Sequence, residues 1–249
     1  MKFGLKDIAR TIREIRSLET RTITISGSSQ ARAVFDNFTR RHPVYRIIPH
    51  KSLGVALIDL PARFEDFLKG PRMMDMRNKR NRALRTGHTF GPVSGPDRRD
   101  EILAINRSAE TRDGRDMPSD YTDARKVDAY LAGDPELYGV SDGEGHLEAY
   151  IHVLHLGEIC VISRLLGHKL HLQDGIMYLL ISELVKELTV HHPGTRYLMY
   201  DTFFGASPGY RYFKERSGFT PYRVKWLWAP GAGSASTGSP SGVHTQVTE

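Results

Sequence analysis

Apolar positions recur along the chain in two periods. Leu5, Ile8, Ile12 and Ile15 step by threes and fours, which predicts a helix over 4–18 with one apolar stripe and Arg10, Arg13 and Arg16 elsewhere around it. Thr and Ile alternate over 22–25, a strand pattern. A helix over 28–40 follows, with Ser28 or Ser29 as its N-cap. Two short apolar runs, 45–48 and 54–60, read as strands, the second ending before Pro61. Residues 62–86 read as mostly helical, broken at Gly70-Pro71 and stopped by Gly87.

The second half has a more regular rhythm. A helix is expected over 97–111, then an irregular polar loop over 112–120 and a helix over 124–131. Strands 137–141 and 146–154 flank Asp142-Gly143-Glu144-Gly145, a hairpin turn, and strand 158–165 follows across Gly157. Ile176, Leu179, Leu180, Leu184 and Leu188 put one apolar side on a helix over 174–189. Strand 197–202, helix 207–216 with Pro208 at its start and Gly218 after its end, and strand 221–228 complete the order. Residues 229–249 are nearly all small or polar and are expected to be a disordered tail. The expected organisation is a partial α/β lobe over 1–70, a basic helix and connector over 71–96, a main domain over 97–228 and the tail.

Composition narrows the class. The 249 residues are 39% apolar and 26% charged, ordinary for a globular chain that can bury a sizeable core. Cys160 stands alone, so an intramolecular disulfide is excluded. No window approaches the run of about 18 apolar residues that a membrane span needs. The N-terminal stripe reads as a folded amphipathic helix rather than an export signal, so a cytoplasmic location is expected. The net charge of +6 and a pI near 9.4 favour acidic partners.

That charge is concentrated. Residues 72–86 hold six cations against the single anion Asp75. The tract is either a solvated basic face or a phosphate-contact surface made by Arg77, Lys79, Arg80, Arg82 and Arg85 beside Arg72; its density favours the phosphate partner. Eleven histidines include the pairs His152/His155, His168/His171 and His191/His192. Positions i and i+3 of a regular strand face opposite sides, and no Cys pair or His-Glu-x-x-His run is present, so no metal site is expected. Cys160 alternates within an apolar strand and reads as a core residue.

The order helix, helix, three antiparallel strands, helix, strand, helix, strand over 97–228 resembles the GNAT acyltransferase superfamily, whose members move acyl groups to amines. The resemblance implies a mixed α/β (α+β) fold, a mostly antiparallel sheet flanked by helices, with the N-terminal segment as a partial second lobe. Two motifs locate the branch. Acyl-CoA users in this superfamily carry Arg/Gln-x-x-Gly-x-Gly/Ala before a helix whose N-terminus holds the pyrophosphate. Here the segment is Gly167-His-Lys-Leu-His-Leu-Gln-Asp-Gly175, which keeps only Gly175 and places Asp174 beside the anion seat. Near the C-terminus, Tyr212-Phe-Lys214-Glu-Arg-Ser-Gly218-Phe219 has a lysine where most of the superfamily has an acidic tyrosine. This aromatic-Lys-x-x-x-Gly pattern, the basic helix over 72–86 and Arg112 are similar to the FemAB-like branch, which takes amino acids from aminoacyl-tRNA.

The resemblance implies a site. The backbone over Val161, Ile162, Ser163 and Arg164 would pair with the acyl arm of the donor, with Gly175 at the donor's phosphate end. Lys214 would place positive charge on the oxyanion or the departing oxygen. Glu158 and Asp201 are the carboxylates to weigh as general base, and Tyr210 and Tyr212 are spare acids. Arg112, Asp113 and Arg115 lie in the loop that would shape the acceptor pocket. The expected activity is transfer of an aminoacyl or acyl group to a small amine, with no tightly bound cofactor and aminoacyl-tRNA as the favoured donor. An acyl-CoA donor with a degenerate loop, and a non-catalytic nucleic-acid-binding protein on the same scaffold, remain as alternatives.

Overall fold

The computed structural model describes residues 15, 17–42, 49–112, 115–204 and 206–230. One eight-stranded sheet organises them. Its strands are β1 (Thr20–Gly27), β2 (Val55–Asp59), β3 (Thr89–Pro92), β6 (Leu137–Ser141), β7 (Leu147–Leu156), β8 (Ile159–Gly167), β9 (Tyr197–Thr202) and β10 (Thr220–Pro230). They lie in the order β1-β10-β2-β9-β8-β7-β6-β3. The β1/β10 and β8/β9 pairs are parallel and the other neighbours antiparallel. A two-stranded hairpin, β4 (Thr111–Arg112) with β5 (Arg115–Asp116), stands apart from the sheet.

Helices cover both faces. They are α1 (Ser29–Thr39), α2 (Phe64–Phe67), α3 (Met74–Arg85), α4 (Arg99–Arg107), α5 (Ser119–Thr122), α6 (Ala124–Leu131), α7 (Ile176–His191) and α8 (Pro208–Arg216). Local chemistry fixes several starts. Ser28 caps α1 by accepting from the Ala31 amide, Asp123 caps α6 by accepting from the amides of Arg125 and Lys126, and Ser207 caps α8 ahead of Pro208. None of the described helices is long and apolar enough to cross a membrane.

Alternation along the strands divides the core. Cys160, Ile162, Leu198, Ala56 and Ile58 face α3 and α7 and pack with Met76, Leu179 and Leu184. Their neighbours Ile159, Val161, Met199, Val55 and Leu57 face the other side, where Val34 and Phe38 of α1 meet Ile23 and Trp226. Further along that second face, Tyr150 and Leu166 pack under Ile102, Val127 and Leu131 of α4 and α6.

Element types match the sequence pattern closely over 124–228, where α6, β6 and β9 fall on the expected residues. Four differences are physical. Segment 1–70, expected as a partial lobe of its own, gives its strands to the common sheet, with β2 between β10 and β9. Strand β3 pairs with β6 although Thr-Phe-Gly-Pro carries no alternation; edge pairing supplies what propensity does not. The loop over 112–120 contains the β4/β5 hairpin and the short helix α5. Ala229 and Pro230, assigned to the tail, are the end of β10. The expected helix over 4–18 (save its last residues), strand 45–48, Asp113 and the rest of the tail lie outside the described residues.

Helix α3 sits against the start of α7, and Gly175 lets it. Gly175 has φ +89°, and a Cβ there would run into the backbone carbonyl of Lys79. Arg80 and Glu183 pair across the two helices at 2.5 Å, both largely buried, and Arg82 pairs with Asp174 at 3.3 Å. Gly175→Ala therefore meets both a left-handed backbone and a collision, costing roughly 3 kcal/mol. Thermal unfolding should show Tm lowered by about 6 °C or more; an unchanged Tm would mean that α3 does not press on this turn.

Candidate active site

Strands β8 and β9 pair over only three residues: Ile159 with Tyr197, Cys160 with Leu198 and Val161 with Met199. Both strands then continue beyond the ladder, to Gly167 and Thr202. Each carries an extra residue where they part. His152 of β7 pairs with Arg164 and Val153 with Ile162, so Ser163 is the bulged residue of β8. Between β2 and β9, the step from Val55 to Leu57 is matched by the longer step from Thr202 to Met199, and Asp201 there has φ +52°. The two irregularities bend the strands at the mouth of an opening.

Lys214 lies on α8 and is almost fully buried, 3% exposed. Its Nζ donates to the Thr202 carbonyl at 2.7 Å and stands 4.8 Å from the Tyr200 ring centroid. The ammonium is thus at the open end of β9, over an aromatic face and shielded from water, where a charge acts strongly. The Tyr200 hydroxyl is pushed well above its ordinary range by burial, with Tyr210 and Asp201 adding to the effect. It stays protonated and can only donate or accept as a neutral phenol.

Arg112 faces the same space from the β8 side. Its Nη2 donates to the carbonyls of Gly167 at 3.0 Å and Ile105 at 3.2 Å, tying β4 to the end of β8. Burial pulls the guanidinium pKa down, against the influence of Tyr210, Tyr150, Tyr200 and Tyr121. Arg164, turned by the bulge, lies between the rings of Tyr130 at 3.6 Å and Tyr121 at 4.4 Å. His168, next after β8, is half-buried and pulled down by burial, then by His171.

The opening therefore gathers Lys214, Arg112, Arg164 and the bulge at Ser163, with buried Val161 and Ile162 at its closed apex. Tyr210, half-buried and coupled to Arg112 and Tyr200, lines it. Tyr212, 53% exposed, points out beside Arg216. Glu158 is at the opposite, paired end of β8: it accepts from the Thr24 amide at 2.5 Å and from Arg196 at 3.3 Å, anchoring β1. Asp201 borders the opening, but its Oδ1 holds the buried Lys51 at 2.5 Å. Arg115 is exposed on β5.

The basic helix is largely occupied with the protein itself. Arg72 donates to the Phe219 carbonyl and to Thr220 Oγ1, Arg77 to the carbonyls of Leu68 and Gly70, and Arg85 to that of Asn81. Arg80 and Arg82 are in ion pairs, and Lys79 stands 4.8 Å over the Tyr178 ring. Most of the charge that reads as a phosphate surface thus brackets α3 to α7 and β10. Gly175 serves that packing. The α3 backbone closes on the start of α7 there, with the Lys79 carbonyl against Gly175.

Among the described residues, two groups of side chains gather metal-ligand atoms, Glu136/His155/His192 and Asp142/Glu144/His146. The His155 and His192 rings stack at 4.4 Å and 15°, so their in-plane lone pairs run side by side instead of converging. Asp142 Oδ1 is taken up by the amides of Glu144 and His146 in the hairpin turn. Cys160 is fully buried, and burial pushes its thiol far above the ordinary range, which suits a core residue.

Tyr121, Tyr130, Tyr150, Tyr200 and His168 are site residues that sequence reasoning missed. Their one signal is the density of tyrosines near Arg112 and Lys214.

No family model matches the sequence, and no curated protein matches it. Among solved structures, FemX superposes with a TM-score of 0.53 at 12% identity, over 68% of this chain and 59% of the FemX chain. A conserved protein of unknown function from Bacteroides thetaiotaomicron gives 0.49 at 16% identity, over 76% of this chain and 62% of that one. L-PGS from Bacillus licheniformis gives 0.40 at 16% identity, over 69% and 60%. The chain spans about three fifths of the solved chains it matches. At these identities the likeness is one of fold, and FemX is the match that carries it. The protein has a GNAT-type fold of the form found in FemX, a mixed, mostly antiparallel sheet flanked by helices.

The site has a pH signature. His152 is held down to about 4 by burial, with Arg164 adding to the effect, against an ordinary 6.5. Between these values the unfolded chain binds a proton that the folded protein refuses. Stability from this group is complete above about pH 6.5 and falls as pH drops toward 4, by roughly 3 kcal/mol. In urea unfolding at pH 7 and pH 4.5, His152→Gln should lose less stability on acidification than the parent; equal losses would place His152 in contact with water.

Proposed function

We propose that the protein transfers an acyl or aminoacyl group from an activated donor to an amine, with the donor carbonyl lying in the opening between β8 and β9. The observation that carries this reading is Lys214, a buried cation held by the Thr202 carbonyl at the open end of β9. The amine nitrogen attacks the carbonyl carbon, the C–N bond forms, and the carbonyl oxygen becomes an oxyanion. On collapse the bond to the departing oxygen breaks, and the proton lost by the amine passes to that oxygen. Lys214 stabilises the negative charge at either oxygen. Tyr200 offers a neutral hydroxyl beside it. Arg112 and the curvature of β8 and β9 hold the reacting groups together, which is where much of the rate arises.

An aminoacyl ester of tRNA is the donor we favour. The motif around Lys214 resembles the branch that uses such donors, and α3 covers the start of α7 where an acyl-CoA pyrophosphate would be held. Lys79 and Arg85, exposed on α3 without an acidic partner among the described residues, are the cations best placed to meet a phosphate backbone. No tightly bound cofactor is required by this chemistry.

Lys214→Met keeps side-chain volume and removes the charge. In single-turnover assays with a mixed aminoacyl-tRNA pool as donor, transfer should fall by about 10²–10³-fold, with far-UV circular dichroism unchanged. Full transfer by the folded variant contradicts the role given to Lys214.

A further inference from the structure

Six buried side-chain nitrogen and oxygen atoms lack a hydrogen-bond partner among the described residues, and five of them surround the outer half of β8: Arg112 Nε, Tyr130 Oη, His152 Nδ1, Arg164 Nη1 and His168 Nδ1. Buried polar atoms in native proteins are nearly always satisfied by protein, water or ligand. Scattered, they would say little. Gathered around one strand beside the transfer opening, they outline a polar occupant.

Arg164 is at the centre. The Tyr130 and Tyr121 rings stand 3.6 and 4.4 Å from its guanidinium carbon, and at the guanidinium edge Nη1 has no partner among the described residues. Tyr150, on the same face of the sheet, is fully buried and donates to Asn106 Oδ1 at 2.8 Å. Among the described residues no carboxylate forms an ion pair with Arg164 or Arg112. Arg164 and Arg112 are thus two half-buried guanidiniums bordering the outer half of β8, each with a buried nitrogen that has no partner among the described residues. A planar carboxylate presents two oxygens to the edge of a guanidinium and fits between flat aromatic walls.

Arg112 connects this slot to the opening. It is electrostatically coupled to Tyr121 and Tyr150, which flank Arg164, and to Tyr200 and Tyr210, which flank Lys214. An acceptor held at Arg164 by its carboxylate must also reach the donor carbonyl with its amine. We propose that the acceptor is an amino acid, bound through its carboxylate by Arg164. This deepens the transfer reading and rests on it for the amine's role, whereas the carboxylate slot itself does not.

The test is binding, with the full chain. Each of the twenty common amino acids is titrated by calorimetry, and every one that binds is compared with its carboxamide, with inorganic phosphate as a further probe. At least one amino acid should bind, its carboxamide about tenfold or more weakly, and phosphate more weakly than the acid. Arg164→Gln, checked for an unchanged fold, should bind acid and amide alike. Equal binding of acid and amide by the parent protein, no binding by any amino acid, tighter binding of phosphate, or discrimination surviving in Arg164→Gln would overturn the proposal. Lys214→Met keeps the two questions apart, since it should retain acid-over-amide binding whether or not it transfers.

Discussion

Ser163 is one residue too many for the ladder between β7 and β8, and much of the site follows from it. In an unbroken strand Ile162 and Arg164 would share a face, and Arg164 would point into the apolar layer under α7. The extra residue turns Arg164 to the opposite face, between Tyr121 and Tyr130, and leaves Ile162 in the core. The same bend carries β8 away from β9 after three paired residues. On the facing strand, Asp201 takes a left-handed backbone conformation that non-glycine residues seldom adopt, and the buried Lys51 holds it there by an ion pair. The opening is therefore built into the sheet by these two irregularities.

The second constraint is the contact of α3 with α7. A helix N-terminus attracts anions through its free amides and dipole. Here the Lys79 carbonyl approaches Gly175 so closely that only glycine fits, and the arginines of α3 grip Glu183 and Asp174. A feature that reads in sequence as a surface for an outside polyanion is mostly an internal clamp.

Much of this was legible beforehand. Helix and strand types over 124–228 followed from periodicity, and the Lys214 motif pointed to a residue the fold does bury at the opening. The bulges were not legible, because Ser163 and Asp201 look like ordinary strand residues and their effect depends on register against β7 and β2. Glu158 illustrates the same limit. Its position at a strand start was read correctly, but which end of the β8/β9 pair opens is decided by tertiary packing, and Glu158 lies at the closed end holding β1. The internal partners of the basic tract were not legible, because charge density alone does not reveal carbonyls and carboxylates supplied by distant residues such as Phe219 and Glu183.

Donor binding tests the central claim most directly. Calorimetric titration of the protein with acetyl-CoA and, separately, with charged and uncharged tRNA should show no saturable CoA signal and a preference for charged tRNA that weakens as salt is raised. Saturable CoA binding without a preference for the aminoacylated end would contradict the account, since it would require a pyrophosphate seat where α3 covers the start of α7.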